Sequence, residues 1–329
     1  MTTETKTTSV PQTATKSEEG TSAVLSLTEE YTGASESLYT LALRRLSRDY
    51  LTLLAVATVL LLGLLSLLAP LITDALNISY TSTDSEGFLP IGSAGHILGT
   101  DDLGRDELAR LLYAGRVSLT IAFSSAIGAL LIGVSIGVIA GYYQGGSLGF
   151  IDDALMWFVT TLNSIPTLFL LLIVASVLRA QRIGSSVLVL ILILTFLGWT
   201  GTMRLVRGET LARRELEYTV AARAMGAGSW RIMFVHILPN IFSIIVVTLA
   251  IDVGSLILTE AALSFLGLGV RPPTPSWGNM LNNAQSFFDR GAHLVVLPGF
   301  LIVLTVLCLY IIGDGMRDAF DPQASKKIA

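Results

Sequence analysis

Charge is what this sequence has least of: 14% of its 329 residues are Asp, Glu, Lys or Arg, against roughly a quarter in an ordinary soluble domain. Only Lys6, Lys16, Lys326 and Lys327 are lysines, all near the ends and none preceded by glycine. That excludes a phosphate-binding loop of the form G-x-x-x-x-G-K-[ST], whose lysine neutralises the nucleotide phosphates, so the chain cannot be its own ATP motor. A single cysteine, Cys308, excludes a disulfide framework within the chain. With His96, His236 and His293 on separate segments, it also offers no cluster of metal ligands. A net charge of −4, with no basic run and no interleaved basic and aromatic patch, argues against nucleic acid as a partner.

What fills the sequence instead is apolar: 52% of residues are hydrophobic. They gather in runs long enough to cross a hydrocarbon core of about 30 Å at about 1.5 Å per helical residue. Six spanning helices are predicted, over Leu51 to Ile72, Val117 to Tyr142, Ile151 to Leu178, Ser186 to Met203, Asn240 to Phe265 and His293 to Gly313. The fold class is thus an all-α polytopic membrane protein. Residues 1–38, rich in Thr, Ser and Glu, read as a disordered tail, because such a composition buries too little surface to order itself. The first span, in region 39–72, is expected to remain as an uncleaved signal anchor.

Orientation follows from Lys and Arg, which cytoplasmic segments retain. With the N-terminus inside, fourteen of the 21 basic residues fall on inner segments, which places both termini and the tail 314–329 in the cytoplasm. The outer segments are then Thr73 to Arg116 and Gly267 to Ala292. Region 73–116 ends in GRDELARLLYAGRVSL, where Leu108, Leu111 and Leu112 repeat at helical spacing beside Arg105, Glu107 and Arg110. An amphipathic helix lying on the membrane surface is expected there. Pro272, Pro273 and Pro275 forbid a continuous helix in the second loop.

Within the core, 117–313, the cytoplasmic segment 204–239 is far longer than a connector needs to be. Leu211, Leu216, Val220 and Ala224 approximate an apolar stripe, which predicts an amphipathic helix. Gly226 and Gly228 permit a turn with positive φ, Ser229 can cap a second helix, and Pro239 opens the fifth span. Small residues Ala221, Ala222, Ala224 and Gly226 let another protein's surface approach closely. On period and charge alone, an interfacial helix held by lipid headgroups is an equal reading.

The stretch AARAMGAGSWRIMFVHILPN resembles the cytoplasmic motif of bacterial ABC-importer permeases, in which EAA, three residues, Gly, nine residues and I-x-L-P follow in order. Aligned on Gly226, the pattern puts Val220, Ala221 and Ala222 on EAA and Leu238 and Pro239 on Leu-Pro, with Val220 and His236 departing from Glu and Ile. The literal Glu260-Ala261-Ala262 lies in the fifth span with no I-x-L-P behind it. The pieces LALRRLSRDYLTLL, HILGTDDLGRDELARLLYAGRVSL and EAALSFLGLGVRPPTPSWGNML resemble the C-type permease of dipeptide, oligopeptide and nickel importers. The resemblance implies a six-span subunit of a bacterial or archaeal cytoplasmic (inner) membrane that pairs with a second, homologous permease. It further implies two ATP-binding subunits that carry the ATP and Mg, an extracytoplasmic solute-binding protein, and no cofactor on this chain. Ala221, Ala222, Arg223, Gly226, Leu238 and Pro239 become the ATPase-coupling residues.

Carboxylates inside spans are costly and default to functional roles. Asp252 and Glu260, with Asn163, are therefore candidates for the translocation path, against a packing role between spans. Two other classes stay open, a proton- or sodium-coupled carrier and an intramembrane protease. Gly313-Asp314-Gly315 does not supply the Gly-x-Gly-Asp of the aspartyl type.

Overall fold

The computed structural model describes residues 38–83, 85–93, 95–146, 149–180 and 186–320. The expected tail 1–38 lies outside these apart from Leu38, and so do residues 321–329 of the expected C-terminal tail. The chain divides into two units, Met1–Leu41 and Ala42–Ala329. Apart from the start of helix α1, the description below concerns the second.

In chain order the helices are α1 Leu38–Leu46, α2 Tyr50–Leu67, α3 Ala69–Leu76, α4 Glu107–Tyr143, α5 Gly149–Asn163, α6 Thr167–Ala180 and α7 Ser186–Arg214. Then come α8 Glu217–Ala224, α9 Ser229–Arg231, a π-helical stretch Ile232–Ile237, α10 Leu238–Phe265, α11 Trp277–Met280, α12 Ala284–Phe287 and α13 His293–Phe320. Among the described residues the only β features are isolated bridges, Ser93 with His96 and Thr100 with Asp106.

Among the described residues five helices are long and apolar enough to cross a membrane, and the α5–α6 pair makes a sixth crossing only if its two arms count as one. α4 is the axis of the bundle, packing most extensively on α7 and next on α10, while α13 packs on α10 and α2. The α4–α7 seam works because Gly133, Gly137 and Gly141 recur every fourth residue. A Cβ on any of them would press on the α7 backbone or on Thr202, Val206 and Thr210, so the helices approach backbone to backbone as small residues allow in lipid. α2 sits at the periphery, with Leu60, Leu61, Leu64 and Leu67 exposed. Asp49 caps its start by accepting from the Leu51 and Thr52 amides and the Thr52 hydroxyl.

Several expected boundaries are corrected. The first span does not run to Ile72: α2 ends at Leu67, and α3 starts separately with Pro70 in its first turn. No separate surface helix precedes the second span, because nothing between Glu107 and Tyr143 breaks the hydrogen-bond ladder and α4 runs unbroken for 37 residues. Its polar first turns bury Glu107 and Arg110 against loops of the same chain. The third span bends at Pro166, where the sequence itself leads one to expect a break in the helical ladder. α5 and α6 meet at 85°, because Pro166 supplies no amide to the ladder and the Ser164 hydroxyl caps the Thr161 carbonyl at 2.6 Å. At about 1.5 Å per residue, arms of 15 and 14 residues reach roughly 22 and 21 Å, each short of a bilayer core. α13 continues through 314–320, which were expected to be tail.

Candidate functional site

The segment 204–239 folds differently from its apolar stripe. Residues 204–214 are the last turns of α7, so Leu211 belongs to that span. The free helix is α8 alone, eight residues long. Its buried side chains are Thr219 and Ala222, whereas Leu216, Val220 and Ala224 are exposed. A three-and-a-half-turn stripe fails because the chain breaks at Glu215 and Leu216, with Leu216 extended at the N-cap.

α8 ends as Gly226 predicts. Gly226 takes φ +87°, its N–H donates to the Arg223 carbonyl at 3.0 Å, and the Ala227 N–H reaches back to Ala222 at 3.0 Å. These two bonds make a Schellman ending, which needs a residue in the left-handed region. The second glycine does not share that conformation: Gly228 is the N-cap of α9 at φ −70°, and it takes the place expected of Ser229. The helix then widens over Ile232–Ile237 before Pro239. A proline ring would clash with the carbonyl four residues back and leaves that carbonyl without its donor; the π turns relieve both problems. The Asn240 side chain also donates to the His236 carbonyl at 2.6 Å.

This elbow is fixed on one side and bare on the other. Ile232, Met233 and Ile237 are fully buried in a cluster with Val138, Val206, Ile241 and Ile245. Arg214 donates to the Gly141, Tyr142 and Gln144 carbonyls at 3.2, 3.2 and 2.7 Å, a cation at the carbonyl end of α4. Thr219 donates to the Arg213 carbonyl at 3.0 Å, and the Arg223 guanidinium lies 5.9 Å from the Tyr142 ring centre. Facing away are Val220, Met225, Trp230 and Phe234, with Met225 83% exposed. Trp230 and Phe234 stack with centroids 5.5 Å apart. Of the expected coupling residues, Ala221 is exposed, Ala222 is buried, and Leu238 and Pro239 belong to the first turn of α10.

The three pathway candidates separate. Asp252 accepts from the Thr202 hydroxyl at 3.1 Å and lines a cavity of about 180 Å³ with Thr167, Gly198, Ser255 and Thr259. Asn163, exposed at the break between α5 and α6, accepts from Thr200 at 3.3 Å. Two threonines of α7, two residues apart, thus hold both groups. Glu260 differs from the expected wall position. It has no exposed surface and accepts from Ser118 at 3.0 Å and Ser264 at 2.6 Å. Those serines in turn take the Trp277 and Val270 amides at 3.2 Å each, so Glu260 holds the loop after α10 down on α4.

Sequence reasoning missed two long-range pairings. Arg207 of α7 grips Asp152 of α5 through two bonds of 2.5 and 2.6 Å. At the other end, Ser85, His96 and Asp106 form a chain with both links at 2.7 Å. Asp106 also caps α4 through the Ala109 amide at 2.8 Å, so this trio clamps the loop to the start of the helix. Asp106 was the available signal, since an Asp just before a helical run is a favoured N-cap.

A family model described as "Binding-protein-dependent transport system inner membrane component" matches residues 133–326, which include the elbow, Asp252 and Glu260. The dipeptide transport system permease protein DppC of Alkalihalophilus pseudofirmus is 35% identical over 295 residues, 90% of this chain and 92% of that protein. The glutathione transport system permease protein GsiD of Pectobacterium atrosepticum is 40% identical over 231 residues, 70% and 74% of the two chains. A chain from a structure of the MetNI methionine ABC transporter in inward-facing conformations superposes with a TM-score of 0.53 at 21% identity, covering 64% of this chain and 96% of that one. That last likeness concerns the fold. Of the classes left open by the sequence, the importer permease is therefore selected over the carrier and the protease. The chain belongs to the family of inner-membrane components of binding-protein-dependent transport systems, as an ABC-importer permease seated in the inner membrane.

Proposed function

We propose that this permease forms half of a translocation path for dipeptides, oligopeptides or chemically related small solutes, paired with a second, homologous permease. ATP and Mg are bound by two separate ATPase subunits, and an extracytoplasmic binding protein delivers the solute. The solute class is supported by the relatives, described as permeases for dipeptides, for glutathione and, in Pseudomonas aeruginosa, for di- and tripeptides. The orientation is supported by the excess of Lys and Arg on segments holding both termini and the elbow.

The observation that carries the coupling role is the one-sided elbow: held on α4 by Arg223 and on the end of α7 by Thr219, with Ala222 buried, and bare at Val220, Met225, Trp230 and Phe234. A short helix held this way transmits a push to the bundle instead of absorbing it. ATP-driven closure of the partners would act on Ala221, Ala222 and Gly226 and be passed through the buried Ile232–Pro239 stretch to α10. Asp252 and Asn163, each held by a threonine of α7, are the polar groups proposed to face the solute. Glu260 supports the path from behind by fixing the loop over α4.

The test is isolation of the complex through a tag on this chain, followed by uptake of labelled dialanine and of glutathione into vesicles. Uptake that requires ATP, the co-isolated ATPases and the binding protein is expected. Uptake by the chain alone, driven by a proton or sodium gradient without ATP, would sink the reading.

A further inference from the structure

At the end of the bundle opposite the elbow, α2, α4 and α13 leave a cavity of about 290 Å³ between them. Leu62 and Leu65 of α2, Leu108 and Leu112 of α4, and Leu297 and Phe300 of α13 form its walls. Only two of the lining side chains carry a polar atom, Ser66 and Trp277. The Trp277 indole N–H already donates to the Leu111 carbonyl at 3.2 Å, and the Ser66 hydroxyl lies so close to Gly115 that a Cβ there would overlap it. A buried water needs about two to four polar partners. This wall offers a single hydroxyl, so water has no reason to fill it.

The cavity can be reached from outside. Leu65 is 36% and Phe300 58% exposed, so two of its walls extend to the surface. Each belongs to an exposed apolar stripe on a spanning helix: Leu61 and Leu64 beside Leu65 on α2, and Val296, Val303 and Leu307 at helical spacing with Phe300 on α13. Because α2 and α13 pack on each other, the mouth lies between two stripes that, in an inner-membrane protein, face hydrocarbon. An apolar cavity of about 150 Å³ takes up a benzene, so this one, about twice that volume, has room for roughly ten to twelve chain carbons.

We propose that this cavity holds one acyl chain of a phospholipid from the leaflet opposite the elbow, inserted between α2 and α13 and ending against α4. The inference rests on the seat of the chain in the inner membrane, and on neither its solute nor its orientation. The drive is dispersion, since a lipid chain that enters from the bilayer leaves no water behind, while wall atoms that would otherwise face a void gain partners. No charged side chain lines the cavity, so it selects a hydrocarbon chain and not a headgroup. The inserted chain also braces Trp277, whose indole and amide donate to the Leu111 carbonyl and the Ser118 hydroxyl, and so supports the start of α11.

The experiment uses the full-length chain with its co-isolating subunits in phosphatidylcholine nanodiscs that contain a little of the same lipid with a photoactivatable diazirine at the end of one acyl chain. After illumination the labelled residues are mapped by mass spectrometry. Label is expected on Leu98 and Leu108, which line the cavity, as well as on Val303 and Leu307, which face the surrounding bilayer. Leu62→Trp fills the cavity from the peripheral helix and should lower the label on Leu98 and Leu108 at least tenfold, with Val303 and Leu307 within about twofold of the parent. Leu297→Trp, from the opposite wall, should do the same, so the test stands if one of the two fails to assemble. A parent labelled at Val303 and Leu307 but not at Leu98 and Leu108 overturns the proposal. Cavity label that survives both variants, or a fall at all four positions together, overturns it as well. A photoreactive benzoylphenylalanine in place of Leu65 should capture lipid; capture of a co-isolated subunit would assign the mouth to a partner helix and remove the lipid from it.

Discussion

Gly104 and Gly226 both take positive φ, +78° and +87°, at opposite ends of the bundle. A Cβ added at Gly104 would overlap the Ser85 carbonyl oxygen, whereas one added at Gly226 meets nothing within 4 Å. The loop cap around Gly104 is dense, with Asp101, Asp106 and Glu107 almost fully buried. The elbow around Gly226 stands in the open. One glycine is demanded by the chain's own packing, the other only by the left-handed turn that ends α8. The same residue type therefore answers to packing at one end and, in the proposed function, to partner contact at the other.

The largest effect expected from breaking this contrast is at the cap. Gly104→Ala combines an unfavourable backbone conformation with a backbone collision that no side chain can move to relieve. Recovery of folded protein, read as the monodisperse fraction on size exclusion, should fall below a tenth of the parental amount. If the variant accumulates and elutes like the parent, the cap is not the rigid element described here.

Next in size is the carboxylate pair, which repeats the contrast inside the bundle. Glu260→Leu strands the Ser118 and Ser264 hydroxyls and loosens the Trp277 and Val270 amides behind them. At about 1–3 kcal/mol for each group left unmade, a clear drop in melting temperature and in assembly is expected. Asp252→Leu removes one bond, to Thr202, from a cavity wall. Assembly should stay at the parental level while uptake falls severalfold. Equal behaviour of the two variants would erase the distinction between support and path.

At the elbow, Gly226→Val should leave insertion and pairing intact while ATP-driven uptake falls about tenfold, equivalent to about 1.4 kcal/mol of lost coupling. Valine in the left-handed region costs on the order of 1–3 kcal/mol, and here that strain falls on the turn alone. Parental uptake by this variant in reconstituted vesicles would remove the basis for calling the elbow the coupling site.

Apolar length was legible residue by residue, which is why spans resting on local composition, such as Asn240 to Phe265, come within two residues of α10. The Gly226 turn was legible for the same reason: φ > 0 is a local demand. What was not legible depends on what a segment meets in space. Arg105, Glu107 and Arg110 carry the signature of a headgroup-facing helix, but Asp101 and the α11 loop, the latter far away in sequence, bury them. The stripe through Leu211 and Val220 was broken by an anchor the sequence does not announce, Arg214 reaching the carbonyls that end α4. Asp252 and Glu260 look alike in sequence, and only their partners, a threonine against two serines, separate them.

The smallest effect is expected at Gly145, between α4 and α5, and it decides how the Gly226 result is read. From sequence, Gly145 is a residue of a short loop where valine should be harmless. In the structure it takes φ +73°, and a Cβ added there would meet nothing within 4 Å. Gly145→Val therefore carries the same kind of backbone strain as Gly226→Val, and the same freedom from collision. The two differ in their surroundings. Gly226 sits beside the bare Met225 and leads to the exposed Trp230, whereas Gly145 follows Gln144, whose carbonyl is already held by Arg214 at 2.7 Å. If strain alone impairs transport, the variants lose uptake equally. If the elbow acts as a docking surface, Gly145→Val should stay within twofold of the parent in ATP-driven uptake while matching Gly226→Val in melting temperature. Equal losses of uptake in the two would transfer the explanation from partner contact to the backbone of these turns.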